Sequence, residues 1–381
     1  MLRAWGRIGC TGFGGPPTHI ALLRTLCVER RRWLDPREFE DAVAACNLLP
    51  GPASTQLAIY CAWRVRGRAG ALVGGLAFIV PGLLLILALA AVFLAGSPPR
   101  WVAGASAGAG AAVAAVAVHA GWTLVPASWA RTQRERASQI RWLVYLAAGA
   151  AATATLGPWL VAVLLACGAV ELLVQHSIAG GAGVRAVVPT PLIASLAAGI
   201  GGGVLLSLAW VAFKVGALSY GGGFVIVPLM QGDAVGRYHW LSAGQFLNAV
   251  ALGQITPGPV VQTVAAVGYA AAGVGGGLLA AAIAFAPSFA FVLLGGAEFD
   301  RLRGNQWARA FLDGAGPAAI GAIFGAALPL ARALKQPWQY AVLAAAAILL
   351  LALRRGLVAT LLAAAAAGLL IALAGGPIPH P

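Results

Sequence analysis

A cation stands shortly before each of two glycine runs in this chain, Arg7 before Gly14-Gly15 and Lys214 before Gly221-Gly222. Lys214 lies inside an otherwise apolar stretch, LLSLAWVAFKVGAL, where an unpaired charge in a bilayer costs about 2.5 kcal/mol or more. A cation kept at that cost suits a bound anion. The alternatives are snorkelling to the headgroups, or a fixed ion pair with Asp313 or Glu171. For Arg7, near the start of the sequence, a topogenic charge at the interface is the plainer alternative. A second break follows each glycine run: Pro50-Gly51-Pro52 in one case and Pro257-Gly258-Pro259 in the other. Around them stand Asn47, Ser54, Thr55 and Gln56, then Gln254, Thr256, Gln262 and Thr263. Such uncharged groups can donate hydrogen bonds to an oxyanion, or merely glue helices together. His19 could touch the anion or respond to pH, or be a buried, hydrogen-bonded histidine. Asp313, the lone acid in AFLDGAGPAAIGAIFG, is the candidate for proton coupling, with a structural pairing to Lys214 or Arg309 as the alternative.

The elements that must position these residues are membrane helices. Of 381 residues, 60% are hydrophobic and 9% charged, against about 25% charged in a soluble domain. A water-facing shell cannot be built from so few ionic groups, which excludes soluble enzymes, disordered tails and coiled coils. The 51 glycines imply close helix packing. The net charge of +14 flanks apolar segments, so it reads as topology rather than nucleic-acid binding. Five cysteines without a CxxC and five scattered histidines suggest packing, with no metal and no cofactor. No paired carboxylates or nucleophile with a base point to an enzyme. No secretory leader pattern opens the chain, so nothing is expected to be cleaved.

Candidate spans, each of the order of 20 apolar residues, are 69–95, 101–125, 142–156, 159–175, 192–208, 276–297, 308–330, 338–353 and 357–373. Allowing for broken helices, the fold expected is an all-α integral membrane protein of roughly 9–13 segments. Sliding the chain by 207 residues aligns 7–70 with 214–277 without a gap, and 17 of 64 positions coincide. Two Trp-Leu pairs, Trp33-Leu34 and Trp240-Leu241, and both PGP runs fall in one register, which a shared Ala/Gly bias would not produce. Eight arginines in the connecting segments of copy one (Arg24, Arg30, Arg31, Arg32, Arg37, Arg64, Arg66, Arg68) meet one in copy two, Arg237. With five candidate spans between the copies, the positive-inside rule orients them oppositely, although Arg332 and Lys335 then fall on the outer side. Three regions are expected: 1–125 as one repeat, 126–190 as a polar linker with connecting spans, and 191–373 as the inverted repeat.

Proline removes a backbone donor and clashes one turn back, so neither PGP can sit in an unbroken membrane helix. The segment 38–63 should enter and leave on one side as two half-helices meeting near the midplane. Non-helical backbone survives there only when buried in protein or lining a wet cavity. Half-helix N-termini at that depth would aim N–H groups at an anion.

The motifs FGGPPTHI (13–20), VERRRWL (28–34), LLPGPASTQLA (48–58), YGGGFVIVPLM (220–230) and AVALGQITPGP (249–259) resemble the chromate ion transporter family, in its long two-domain form. The resemblance covers nearly the whole chain, although the first helix offers only about 12 residues before its glycine pair. It implies a multi-pass protein of the bacterial inner membrane that exports chromate, with sulfate as the similar oxyanion, using the proton motive force and conferring chromate resistance. Expected partners are the oxyanion, the lipid bilayer and a second copy in a homodimer. The substrate-binding set expected is Arg7, Gly14, Gly15, His19, Asn47, Pro50, Gly51, Pro52, Thr55, Gln56, Lys214, Gly221, Gly222, Gln254, Thr256, Pro257, Gly258 and Pro259, with Asp313 for proton coupling. An oxyanion channel, or a sulfate permease without chromate preference, remains the alternative.

Overall fold

The computed structural model describes residues 1–49, 51–94, 98–132, 135–155, 159–178, 203–219, 223–295 and 305–379. All regular structure among them is helical. The first copy comprises α1 (Leu2–Thr11), α2 (Pro16–Arg24) running into a π-helical turn (Thr25–Arg30), α3 (Pro36–Leu48) and α4 (Ala53–Phe93). Three helices follow: α5 (Arg100–Trp129), α6 (Arg136–Thr155) and α7 (Leu160–Ile178). The second copy has α8 (Val204–Leu218), α9 (Ile226–Gln231) with its π turn (Gly232–Arg237), α10 (Ala243–Ile255) and α11 (Thr263–Gly295). Last come α12 (Gln306–Arg332), α13 (Pro337–Ala347) with a π turn (Ile348–Ala352), and α14 (Leu357–Leu373). Ala53–Phe93, Arg100–Ala130, Leu160–Ser177, Val260–Gly295 and Gln306–Arg332 are long and apolar enough to cross a membrane.

The duplication read from the sequence is present in the backbone. The helices α3 and α10, and the π turns before them, are offset by the expected 207 residues. Their starts are capped by local chemistry: Asp35 accepts the Arg37 N–H at 2.9 Å with Pro36 in the first turn, and Ser242 forms a capping box with Gln245. Each π turn closes alike, Arg31 N–H to Leu26 O at 3.0 Å and Tyr238 N–H to Asp233 O at 2.8 Å. Beyond the PGP runs the offset becomes 206, as the kinks Arg66-Gly67 and Ala272-Gly273 and the helix prolines Pro81 and Pro287 show. The gapless match therefore slips by one residue there, because copy one carries one more residue between Pro52 and Gln56 than copy two carries between Pro259 and Gln262.

Neither α4 nor α11 is one straight rod. At Gly67 (φ 59°) and Gly273 (φ 63°) the chain reverses, so that a Cβ on Gly74 would lie 2.3 Å from that of Ala62. In copy two, Gly268 likewise meets the Gly276 carbonyl. The short limb 53–65 thus packs back on the long limb 68–93, which at 1.5 Å per residue is about 39 Å, enough to span a bilayer core of about 30 Å. Arg64, at the end of the short limb, forms an ion pair with Glu38, at the start of α3, at 2.5 Å. The segment 38–63 therefore enters and leaves on the same side, as expected. The indoles of Trp5 and Trp33, stacked at 5.8 Å, close α1 and α2 into a second V in the same way.

The long limbs of the two copies run antiparallel. Gly75 abuts the Phe289 ring near one end, and Gly277 abuts Leu87 near the other. Equivalent helices crossing in opposite directions make the repeats inverted, in agreement with the arginine count. The intervening helices pack through glycines: Gly104 and Gly108 of α5 against Gly368 and Ala364 of α14, and Gly149 of α6 against Ala318 of α12. Small residues let these backbones touch where apolar lipid offers no hydrophobic drive for association. Of the expected spans, 357–373 matches α14, whereas most of 192–208 lies outside the described residues.

Candidate functional site

The described residues at the breaks of the two copies meet between them. The Gly12 carbonyl, in the first glycine run, accepts the Gly258 N–H of the second PGP at 3.0 Å. His19 Nε2 lies 2.9 Å from the same carbonyl, which only accepts, so this nitrogen carries the proton; Nδ1 is 3.3 Å from Ser54 Oγ. Gly15 and Gly223, from opposite copies, both flank Val260. Each PGP turn is held by the other copy's long limb. Gly82 lies so close to Pro257 that a Cβ would stand 2.1 Å from its carbonyl oxygen, and Gly51 packs near Ser288, the residue equivalent to Gly82. Gln262 donates to the Ile79 carbonyl at 2.8 Å across the same contact. Gly51 (φ 115°) and Gly258 (φ 96°) occupy backbone that only glycine adopts without strain, which is why both runs read PGP rather than PAP.

Several polar atoms around this junction are buried and lack a hydrogen-bond partner among the described residues: Thr55 Oγ1, Ser219 Oγ, Ser288 Oγ, Gln254 Nε2 and Gln262 Oε1. The first four can donate. Leaving such a group unpaired costs about 1–3 kcal/mol, so each of these atoms is open to a further polar partner. Thr256 bonds only weakly to Gly253 O, at 3.5 Å, and Thr263 is satisfied by Val260 O at 2.8 Å.

A cavity of about 1360 Å³ opens beside the junction. Phe13, Gly14, Thr18, Asn47 and Ala53 line its inner part, and His119, Trp122, Arg354 and Arg355 its mouth. The mouth lies on the side of Arg64, Arg66 and Arg68, because α5 starts beside the far end of α4 and reaches His119 only after returning across the bundle.

The expected residues are thus partly gathered and partly dispersed. Gly14 and Asn47 face the cavity, while Gly15, His19, Gly51, Pro52, Thr55, Gln56, Gln254, Thr256, Pro257, Gly258 and Pro259 form the buried junction. Pro50, Gly221 and Gly222 lie outside the described residues. The two cations are not brought together. Arg7 is exposed and lines a separate cavity of about 760 Å³ with Arg3, Arg30, Arg31 and Trp33. Lys214 is buried and paired with Asp233, from the π turn that follows α9. Neither Asp313 nor Glu171 is its partner. Arg131 bonds Asp313 at 3.2 Å, and Arg141 bonds Glu171 through both guanidinium arms at 2.8 and 3.1 Å, with Tyr145 and Gln175 completing the latter site at 3.0 Å each. These residues enclose a polar cavity of about 330 Å³, which shares no lining residue with the larger one.

Sequence reasoning missed Asp233, Ser219, Ser288, Arg354 and Arg355. Only the last pair carried a signal, two adjacent arginines between apolar spans. Among the described residues no His, Cys, Asp and Glu are grouped to hold a metal ion.

With this geometry in place, comparison with known proteins is specific. The chromate transporter family model matches residues 1–172 and 206–369. A chromate transport protein of Cupriavidus metallidurans is 33% identical over 336 residues, covering 86% of this chain and 80% of that one. A probable chromate transport protein of Synechococcus elongatus is 31% identical, covering 86% and 82%, and a chromate transport protein of Pseudomonas aeruginosa 30%, covering 86% and 79%. No solved structure matches. An all-α chain with two inverted copies, apolar spans and a family match over most of its length is a multi-pass membrane transporter, and it belongs to the chromate transporter family.

Proposed function

We propose that this protein exports chromate across the bacterial inner membrane by alternating access, with the arginine-rich side in the cytoplasm. The observation that carries the reading is the set of buried donors without a partner among the described residues, Thr55, Ser219, Ser288 and Gln254, on the elements whose breaks converge between the copies. Chromate and sulfate are tetrahedral dianions whose oxygens accept such hydrogen bonds, and the relatives named as chromate transport proteins support chromate as the cargo. Inverted copies meeting at one site allow the two halves to rock about it, exposing it to each side in turn. The cavity then represents access from the arginine-rich side.

Lys214, already neutralised by Asp233, braces copy two rather than binding the dianion in this reading, and Arg7 serves the rim. Proton coupling is assigned to Asp313, which faces its own polar cavity beside Arg131. Uptake of radiolabelled chromate into everted vesicles tests the proposal. Thr55→Val and Gln254→Leu should each reduce uptake at least about tenfold while leaving stability unchanged or raised, since each removes an unpaired buried polar group. Uptake that saturates and stops when the proton gradient is collapsed supports a coupled transporter. Non-saturating, gradient-independent flux would instead make it a channel. Competition by sulfate measures how far the site separates the two oxyanions.

A further inference from the structure

We propose that Arg354 and Arg355 form a capture site for the dianion at the mouth of the large cavity, a step before the junction. This rests on the transport reading above and adds to it the residues that would set apparent affinity from the arginine-rich side.

The two arginines are the only charged residues among the described residues that line this cavity, and none of those is a carboxylate. Among the described residues neither makes an ion pair. Several other arginines on this side of the bundle are paired, Arg24 with Glu29 and Glu40, Arg64 with Glu38, Arg131 with Asp313 and Arg141 with Glu171, whereas Arg3, Arg7, Arg30 and Arg31 line the cavity of about 760 Å³ without an ion pair among the described residues.

Their backbone is also fixed rather than frayed. The π turn after α13 closes by Leu353 N–H to Ile348 O at 2.9 Å and Arg355 N–H to Leu349 O at 2.8 Å, with Arg354 at φ 50°. The same closure recurs at Arg32 and His239, each at a similar positive φ (50° and 51°) and each just before a new helix. At this third occurrence the turn places both arginines on the wall of a cavity that Thr18, Asn47 and Gly14 also line. His119, whose imidazole can donate an N–H, lines the same wall. A planar guanidinium presents a fork of donors that matches two oxyanion oxygens at once. Two of them placed before a site of uncharged donors separate capture from holding. Charge gathers the dianion, and the neutral junction holds it weakly enough to release it.

The chemistry would equally suit a phospholipid phosphate, since Trp122, Leu350, Leu351 and Leu357 give the mouth apolar walls. The proposal commits to the free dianion, and the test separates the two. In everted vesicles, the double variant Arg354→Gln/Arg355→Gln should raise the KM for chromate roughly 5- to 10-fold at low ionic strength with kcat unchanged. That difference should shrink to within about 2-fold near 1 M salt, where the screening length is about 3 Å. Arg354→Lys/Arg355→Lys should recover most of it. Cysteine-accessibility labelling of the α13–α14 loop checks that both variants insert as the wild type does. Binding of labelled chromate to the purified protein should weaken by a similar factor, a readout that does not require transport. If the wild type transports chromate and neither KM nor binding moves in the double Gln variant, the capture site is overturned. If instead the effect follows the fraction of anionic lipid and not salt or substrate, the occupant is a headgroup and the proposal is equally overturned. Should the protein bind chromate through these arginines yet carry none across, the transport reading fails while the capture site stands.

Discussion

Lys214 and Asp233 offer the sharpest perturbation. Lys214 is 5% exposed and Asp233 1%, and the pair joins α8 to the π turn of copy two, nineteen residues along the chain. Copy one has Arg7 and Leu26 at the equivalent positions, so the pair is private to one repeat. Asp233→Asn leaves an ammonium in an apolar wall with only a neutral amide beside it. Removing one member of a buried pair costs about 3–5 kcal/mol, a large part of a total stability of about 5–15 kcal/mol. Replacing both, as in Lys214→Met with Asp233→Leu, removes the desolvation cost with the attraction and should fall within about 1 kcal/mol of wild type, or above it. Heat denaturation in detergent, with chromate uptake measured on the same preparations, reads both terms. The expected order is a strongly destabilised single variant and a stable double variant that still transports within a few-fold of wild type. A double variant that is stable yet transports nothing would refute the bracing role and return Lys214 to the dianion. A single variant as stable as wild type would refute the burial argument itself.

Gly82→Ala should place a methyl 2.1 Å from the Pro257 carbonyl oxygen, cost about 1–3 kcal/mol through overpacking, and lower uptake by displacing the second PGP turn; melting and vesicle uptake measure the two effects. Gly258→Ala forces a side chain into φ 96° and should cost at least about 1–2 kcal/mol, seen as a lowered melting temperature together with lost uptake. Arg141→Ala strands the buried Glu171 and should destabilise by about 3–5 kcal/mol in thermal melts, with Arg141→Lys recovering only part because it lacks the fork, and with the KM for chromate unchanged. Asp313→Asn should leave downhill chromate flux intact while removing its response to an imposed pH gradient; a variant still driven by the gradient would move coupling elsewhere.

The breaks, the duplication and the opposed orientation were legible in the amino acids because each rests on local or additive chemistry. Proline cannot donate wherever it stands, glycine alone tolerates the turn at Gly51 and Gly258, and loop arginines bias topology by number rather than by partner. The one-residue slip after the PGP runs was hidden, since Ala and Gly recur too often around it for a gap to stand out. Partnership was hidden more deeply. Lys214 has several acids at plausible distances along the chain, and only the folded path through α9 places Asp233 against it rather than Asp313 or Glu171. The same holds for Gly82 against Pro257, for Ser288 beside Gly51, and for Arg354 and Arg355 over the cavity. The amino acids alone determined where the backbone must break and that it does so twice in opposite senses. Tertiary structure decided which groups meet at those breaks, because Coulomb attraction, desolvation and close packing act over a few ångströms of space and take no account of separation along the chain.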